Sequence, residues 1–598
     1  MGVIGNGIKQ NRKEDILFRI FLGAIIIVAG LVSVKRIFIG LDIDEQYAVA
    51  LTYRIARGDM LLKQVWEPHQ TSALITLFPV WLFMKLTGSS DHLLLFLRGI
   101  SVLIQGAVAL YWFITFREKA GRSASLISAF LLFLITPKFI QSPEFNNMQV
   151  WFFVLTCLFV ISGIRKGKAA LFLAAGLFLF MEVLAYPSCL LLFIFLTVYL
   201  ILRGKKQAVL LVLPPVLGGM GLLLYAGLKV GFGNLPTYAG YVLSDSAHSE
   251  GIVSKFIGYL SELPQVVLFL IIYAAISALI LIVIKVLSVL TKAGSFRLCK
   301  ADLPMFLAVL NTIAFADQFR SWHSKQAFIT YPQYCYLILF ISGLVLFLVG
   351  GKEIKEKWKS EFFLLGIGTA VSHIAVMSLT NLSIRATFIH LIPGCAAALC
   401  LFGDVCRDVY RDARRDHVGE FGVDEAESTS GRGMPKILNI TCILMSAVIL
   451  FIAMYGAGII VRTSNEGRYN DIRMDYKKVI YGPAKGIYCE YLEGYSLNSK
   501  YELLSAAAPS GSKVLYIGTD NLLYMANNYE VCTPSTISTP EYAGNLADYF
   551  AVNPEKIPEY ILVDSKYADS TGVMGLLDDL FAPELIAENE YAGVYVNE

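Results

Sequence analysis

The 598-residue sequence predicts a polytopic α-helical membrane protein with about 13 transmembrane helices and a C-terminal extracytoplasmic α/β domain. Three observations carry this. Hydrophobic residues make up 56% of the chain and charged residues 16%, against about 25% charged in a soluble globular protein. Apolar runs near the roughly 20 residues needed to span a bilayer recur along the first 461 positions. Charge is also segregated between the loops that join those runs. Six loops are basic: Arg117/Lys119/Arg122, Arg165/Lys166/Lys168, Arg203/Lys205/Lys206, Lys292/Arg297/Lys300, Lys352 to Lys359, and Arg407/Arg411/Arg414/Arg415. One loop, Leu41-Asp42-Ile43-Asp44-Glu45-Gln46-Tyr47, is acidic. Lys and Arg stay on the cytoplasmic side, so the basic loops orient the helices and put the acidic loop outside.

The N-terminal run from Ile16, preceded by Lys9, Arg12 and Lys13, has no small-x-small cleavage site and reads as a retained helix. The expected crossings are 16–34, 93–115, 124–137, 147–163, 168–185, 187–202, 207–230, 264–290, 303–317, 331–350, 361–379, 385–403 and 437–461. Thr71 to Thr87 is also apolar but short, with Pro79 inside. If it crossed, all six basic loops would land outside, so it is expected to re-enter or to lie in the interface. Thirteen crossings put the N-terminus in the cytoplasm and the C-terminus outside, in a bacterial cell membrane, with an endomembrane the alternative.

The chain then divides into a transmembrane region at 1–403, a charged cytoplasmic linker at 404–436, a last helix at 437–461 and an extracytoplasmic domain at 462–598. The first outer loop, about 35–92, opens with a helix from Asp44 to Arg57. Its apolar Tyr47, Leu51 and Ile55 recur at helical spacing, as in a helix lying on a membrane. The last domain holds 16 of the 31 tyrosines. Strands are expected at 513–517, 529–533 and 560–564, with a helix at 521–527. Ten cysteines are scattered without a Cys-x-x-Cys pair, and only Cys489 and Cys532 share the polar region where a disulfide could form.

Carboxylates beside a membrane are costly unless used. Asp42 with Glu45 three residues on also fits a capping-box start, whereas Asp44 is not explained by capping. A carboxylate there can act as a general base or hold a divalent metal ion against a phosphate. Trp66-Glu67-Pro68-His69 reads either as an interfacial anchor or as a metal or phosphate contact. Glu144 lies in a short outer loop between two helices. His248 and Glu250 sit in a polar outer loop. Arg320, His323, Lys325 and Arg385 run against the positive-inside trend and could neutralise a lipid phosphate, although snorkelling explains such residues too.

Asp44-Glu45-Gln46-Tyr47, Ala56-Arg57-Gly58-Asp59, Glu67-Pro68-His69 before an apolar helix ending at Gly88, and Arg98 in the next span together resemble the GT-C glycosyltransferase superfamily, in its protein O-mannosyltransferase-like and aminoarabinose-transferase-like branch. The resemblance covers about 15–230. It implies that Asp44 is the catalytic base and Glu144 the second catalytic acid. Asp42, Glu45, Glu67, His69 and His248 are then candidates for a divalent metal ion or the donor phosphate, and Arg320, His323, Lys325 and Arg385 for the lipid phosphate. The family often has Asp at the second acidic position and a basic or His-Pro-Pro-type motif after the first Glu, and this chain departs from both. The implied activity is inverting transfer of a sugar from a polyprenyl-phosphate donor to a glycan, lipid or protein acceptor in the cell envelope. No nucleic acid partner is expected. A transporter or flippase of lipid-linked sugars is the alternative, but transporters place ionisable groups near the midplane.

Overall fold

The computed structural model describes all residues except 1, 138, 205, 244–250, 291–299, 323–326, 329–332, 381, 420–429, 463–466, 471–473, 569–571 and 598. The chain begins with α1 (Gly2–Phe38), which leads through a short bend into α2 (Ile43–Ala56). Asp42 caps α2, its side chain accepting from the Asp44 N–H at 3.0 Å. Helix α3 (Ala73–Thr87) stops at Gly88, whose φ of 65° needs glycine's freedom. Then come α4 (Leu93–Phe116), α5 (Arg122–Leu134), α6 (Phe145–Lys166), α7 (Ala169–Ala185), α8 (Leu190–Leu202), α9 (Ala208–Val230) and α10 (Leu235–Leu243). The later helices are α11 (Ile252–Leu290), α12 (Asp302–Trp322), α13 (Tyr334–Val349), α14 (Lys352–Glu361), α15 (Gly368–Leu379), α16 (Ile384–Thr387), α17 (Ile392–Gly419) and α18 (Ser430–Ile459). A π-helical segment, Phe362–Ile367, joins α14 to α15.

By length and composition, 8 helices among the described residues can cross a membrane, and four shorter apolar helices join them. The packing separates an inner from an outer ring. The spans of α6 and of α16–α17 are 83% and 89% buried, whereas that of α11 is 11% buried and displays large apolar side chains such as Leu268, Ile271 and Leu279.

Helix α3 spans about 22 Å at 1.5 Å per residue, short of a hydrocarbon core of about 30 Å. Both its ends meet the C-terminal domain. Before it, Glu67 accepts from the Thr536 N–H; after it, Lys485 pairs with Asp91 at 2.7 Å and the Leu94 N–H donates to the Pro483 carbonyl at 3.0 Å. Both ends of α3 therefore lie against the same domain.

The C-terminal domain contains β6 (Lys513–Ile517), β7 (Glu530–Val531), β8 (Tyr560–Asp564), β9 (Glu584–Glu588) and β10 (Ala592–Val596) in a five-stranded sheet ordered β7-β6-β8-β10-β9. Strand β6 runs parallel to β7 and β8, and β10 is antiparallel to β8 and β9. A three-stranded sheet joins β1 (Ala327–Phe328), β3 (Gly467–Asn470) and β2 (Ile460–Arg462). The hairpin of β4 (Tyr476–Lys478) and β5 (Tyr488–Glu490) touches the end of α1, where the Gly40 N–H donates to the Tyr488 carbonyl at 2.8 Å.

Two expectations, the surface helix and the linker, are corrected. Helix α2 does not lie on a surface: Ile43 and Glu45 to Arg54 are all buried, under α3 and the C-terminal domain. Residues 404–419 are not a linker but the continuation of α17, and 430–436 belong to α18, so only 420–429 of that stretch lie outside the described residues. Cys489 and Cys532 are both free. The span expected at 264–290 is the second part of α11, which begins at Ile252.

Candidate active site

Three acids at the start of α2 take different places. Glu45 and Arg98 are fully buried and pair through two hydrogen bonds, at 2.7 Å from Nε and 2.5 Å from Nη2. The remaining Arg98 donors satisfy the carbonyls of Arg36, Ile37 and Gly40 at the end of α1. Asp42 is fully buried too, and its Oδ2 accepts from Arg462 Nε at 2.6 Å and from Arg462 Nη2. Two such bidentate pairs fix the bend between α1 and α2. Asp44, between them in sequence, remains half-buried.

Glu144 reaches the same place from α6. It is the N-cap of that helix, accepting from the Asn146 N–H at 2.8 Å and the Asn147 N–H at 2.6 Å, and from Asn146 Nδ2 at 3.0 Å. Tyr186, at the break between α7 and α8 that Pro187 enforces, feels the charge of both Asp44 and Glu144. His69 stacks on Phe145 with ring centroids 4.0 Å apart and tilts toward Tyr186 at 4.7 Å. Tyr47 meets Phe145 edge-on at 6.1 Å. Asp44, Glu144, His69 and Tyr186 thus converge from four segments at the end of the helices that faces the C-terminal domain.

The C-terminal domain closes one wall. The Glu67 carboxylate accepts from the Thr536 N–H at 2.5 Å and from Thr536 Oγ1 at 3.2 Å, and also engages Ser535 and Tyr47. Burial pushes this carboxyl above the usual glutamate range, while Arg54 pulls the other way. Arg54 itself pairs with Asp59 at 2.8 Å and donates to the Thr533 carbonyl at 2.9 Å, and Asp59 binds Lys556 at 2.6 Å. The Arg57-Gly58-Asp59 turn is therefore a docking point for 530–556.

Arg385 is held by Glu262 at 2.9 Å and Gln265 at 2.8 Å. Tyr259, one turn before Glu262, also acts electrostatically on Tyr186. Arg320 pairs with Asp317 at 2.9 Å and is largely exposed. His248, Glu250, His323 and Lys325 lie outside the described residues. Among the described residues no three His, Cys, Asp or Glu side chains are grouped to hold a metal ion. Asp42 and Glu45 are each paired with an arginine.

Sequence reasoning missed Tyr186 and Glu182. Glu182 is fully buried one turn before Tyr186, taking a 3.3 Å hydrogen bond from Gln149 Nε2, which also donates to Ser372 Oγ at 2.6 Å. A carboxylate inside an apolar run of 17 residues was a legible signal. For Tyr186, the following Pro187 marked only the break.

No family model matches the chain, and no curated protein matches it. Solved structures do resemble it over almost its full length. ArnT from Cupriavidus metallidurans in the apo state aligns with a TM-score of 0.44 and 9% identity, over 97% of this chain and 98% of that one. The same protein bound to undecaprenyl phosphate gives 0.43 and 10%, over 98% of each. The archaeal oligosaccharyltransferase AglB from Archaeoglobus fulgidus, in complex with an inhibitory peptide and a dolichol-phosphate, gives 0.41 and 12%, over 96% and 74%.

Proposed function

We propose that this chain is an inverting membrane glycosyltransferase that moves a sugar from a polyprenyl-phosphate donor to an acceptor at the outer membrane face. The observation that carries this is the meeting of Asp44 and Glu144 beside Tyr186 and His69, at the seam between helices and outer domain. Asp44, half-buried and at the start of a helix, takes the proton of the acceptor hydroxyl. The acceptor oxygen then forms a bond to the anomeric carbon as the bond from that carbon to the lipid phosphate oxygen breaks, and the lipid phosphate leaves with the electron pair. Glu144, fixed by its helix cap, orients the reacting groups. Arg385 is the cation assigned to the departing phosphate, and Arg320, His323 and Lys325 are the further candidates for that role. Thirteen crossings with a cytoplasmic N-terminus follow from the basic loops.

The test is sugar transfer by the purified protein in detergent, supplied with a polyprenyl-phosphate-linked sugar. Turnover is expected there, whereas a flippase needs sealed membranes. Asp44→Asn should lower the rate by about 10²–10⁴-fold, and Glu144→Gln by less. Undiminished turnover in folded Asp44→Asn protein would remove it as the base.

A further inference from the structure

The β4–β5 hairpin, with its connection over 479–487, is wedged against the ends of two membrane spans. Ile39, one residue beyond the span that ends at Phe38, forms a parallel bridge with Tyr488, and the Gly40 N–H donates to the Tyr488 carbonyl at 2.8 Å. At the start of α4, His92 Nδ1 lies 2.8 Å from the Lys485 carbonyl. Gly486 is so close to the same helix that a Cβ added there would sit 3.1 Å from Leu95 Cδ1. On the inner side of the hairpin, Val479, Ala484 and Ile487 are fully buried in one cluster with Leu93, Leu94 and Leu97 of α4. The other side is uncovered. Ile480 is 46% exposed, and Tyr481 and Tyr488 are exposed too. Tyr481 Oη donates to Glu502 at 2.9 Å, and the Lys478 ammonium lies over the Tyr488 ring, 5.9 Å from its centroid.

Three exposed apolar side chains on a domain surface need no explanation by themselves. Their height relative to the spans is what gives them a partner. Two residues of extended chain, Ile39 and Gly40, reach at most about 7 Å beyond Phe38. The interfacial layer on each face of a hydrocarbon core of about 30 Å is itself about 5–7 Å deep. Tyr488 therefore stands within that layer. It also continues a surface that faces lipid, because Ile27, Leu31, Val34 and Phe38 of α1 are exposed at helical spacing along the span and lead to it. Tyrosine rings beside a lysine stem suit this boundary, with the apolar body toward lipid and the polar tip in water. We propose that the β4–β5 hairpin is a membrane-docking surface, with Ile480, Tyr481 and Tyr488 among the lipid headgroups of the leaflet on the domain's side. The domain is thereby tied to lipid as well as to the helices, whatever reaction the candidate site performs.

The test is photo-crosslinking of the full chain in phosphatidylcholine nanodiscs. Ile480, Tyr488 or, as a reference on the exposed stripe of α1, Ile27 is replaced by p-benzoylphenylalanine, and the products of irradiation are read by mass spectrometry. All three positions are exposed, so the larger ring is accommodated without repacking the core. The chains carrying the label at Ile480 and at Tyr488 should each gain the mass of one phosphatidylcholine, as the chain labelled at Ile27 does. Adducts at Ile27 with none at either hairpin position would overturn the proposal, because the hairpin then faces water. Cross-linking of Ile480 and Tyr488 to a second chain in place of lipid would overturn it too, since the surface would then join copies of the protein.

Discussion

The two ends of the helical bundle handle charge in opposite ways. At the basic end, acids pair with cations near the rim. Glu361 binds Lys119 and Arg165, both at 2.6 Å, and Asp404 is shared by Lys357, Arg407 and the Trp358 indole. Most of those cations are partly exposed, so water screens them and the loss of one is spread over the others. At the end beside the C-terminal domain, Asp42–Arg462 and Glu45–Arg98 are wholly buried pairs, and the half-buried Asp44 sits between their acids in sequence. Redundant pairs hold the basic end together. The opposite end uses two buried pairs to fix the α1–α2 bend and with it the position of Asp44.

The sharpest way to break this contrast is truncation after Val461. It deletes Arg462, strands the buried Asp42 carboxylate and strips the C-terminal cover from Tyr53, Leu93, Leu94 and Leu97. Limited proteolysis should then cut within 35–92 faster than in the full chain. Continued protection would show that the domain is an accessory. Next in size, Arg98→Ala should destabilise by about 3–5 kcal/mol, because it leaves a buried charge uncompensated. Lys357→Ala, its counterpart at the basic end, should cost under about 1 kcal/mol, because the pair is partly exposed and Asp404 keeps two partners. Comparable thermal shifts for the two variants would erase the distinction.

The smallest effect concerns pH. Because the folded state holds Glu67 above the usual glutamate range, its stabilising protonated form is complete below the unfolded pKa. Stability should fall as pH rises from the ordinary glutamate range through the raised folded pKa, and then level off. Glu67→Gln should flatten that interval in unfolding curves taken across pH. An unchanged slope would mean that another group titrates there.

Local signals were legible where one segment decides its own structure. The start of α2 followed from Asp42, and β6 and β8 fall on 513–517 and 560–564 because short apolar runs there are bounded by turns. Asp44 and Glu144 stood out in the sequence as carboxylates beside a membrane, although Glu144 is a buried helix cap. The arginine partners did not stand out, since Arg98 and Arg462 look in sequence like a residue inside a span and one just after the last. Burial of α2 was missed because its apolar spacing fits a membrane surface as well as a protein one. Strands β9 and β10 escaped notice because β9 is an edge strand with mostly exposed side chains.

The Asp42–Arg462 pair also orders events in time. Its members are 420 residues apart, which at about 5–20 residues per second separates their synthesis by roughly 20–80 seconds. Throughout that interval the outer loop has emerged while the counter-ion that seats its first turn does not yet exist. The bend that carries Asp44 is therefore the last part of the fold to be fixed, after the final helix is made.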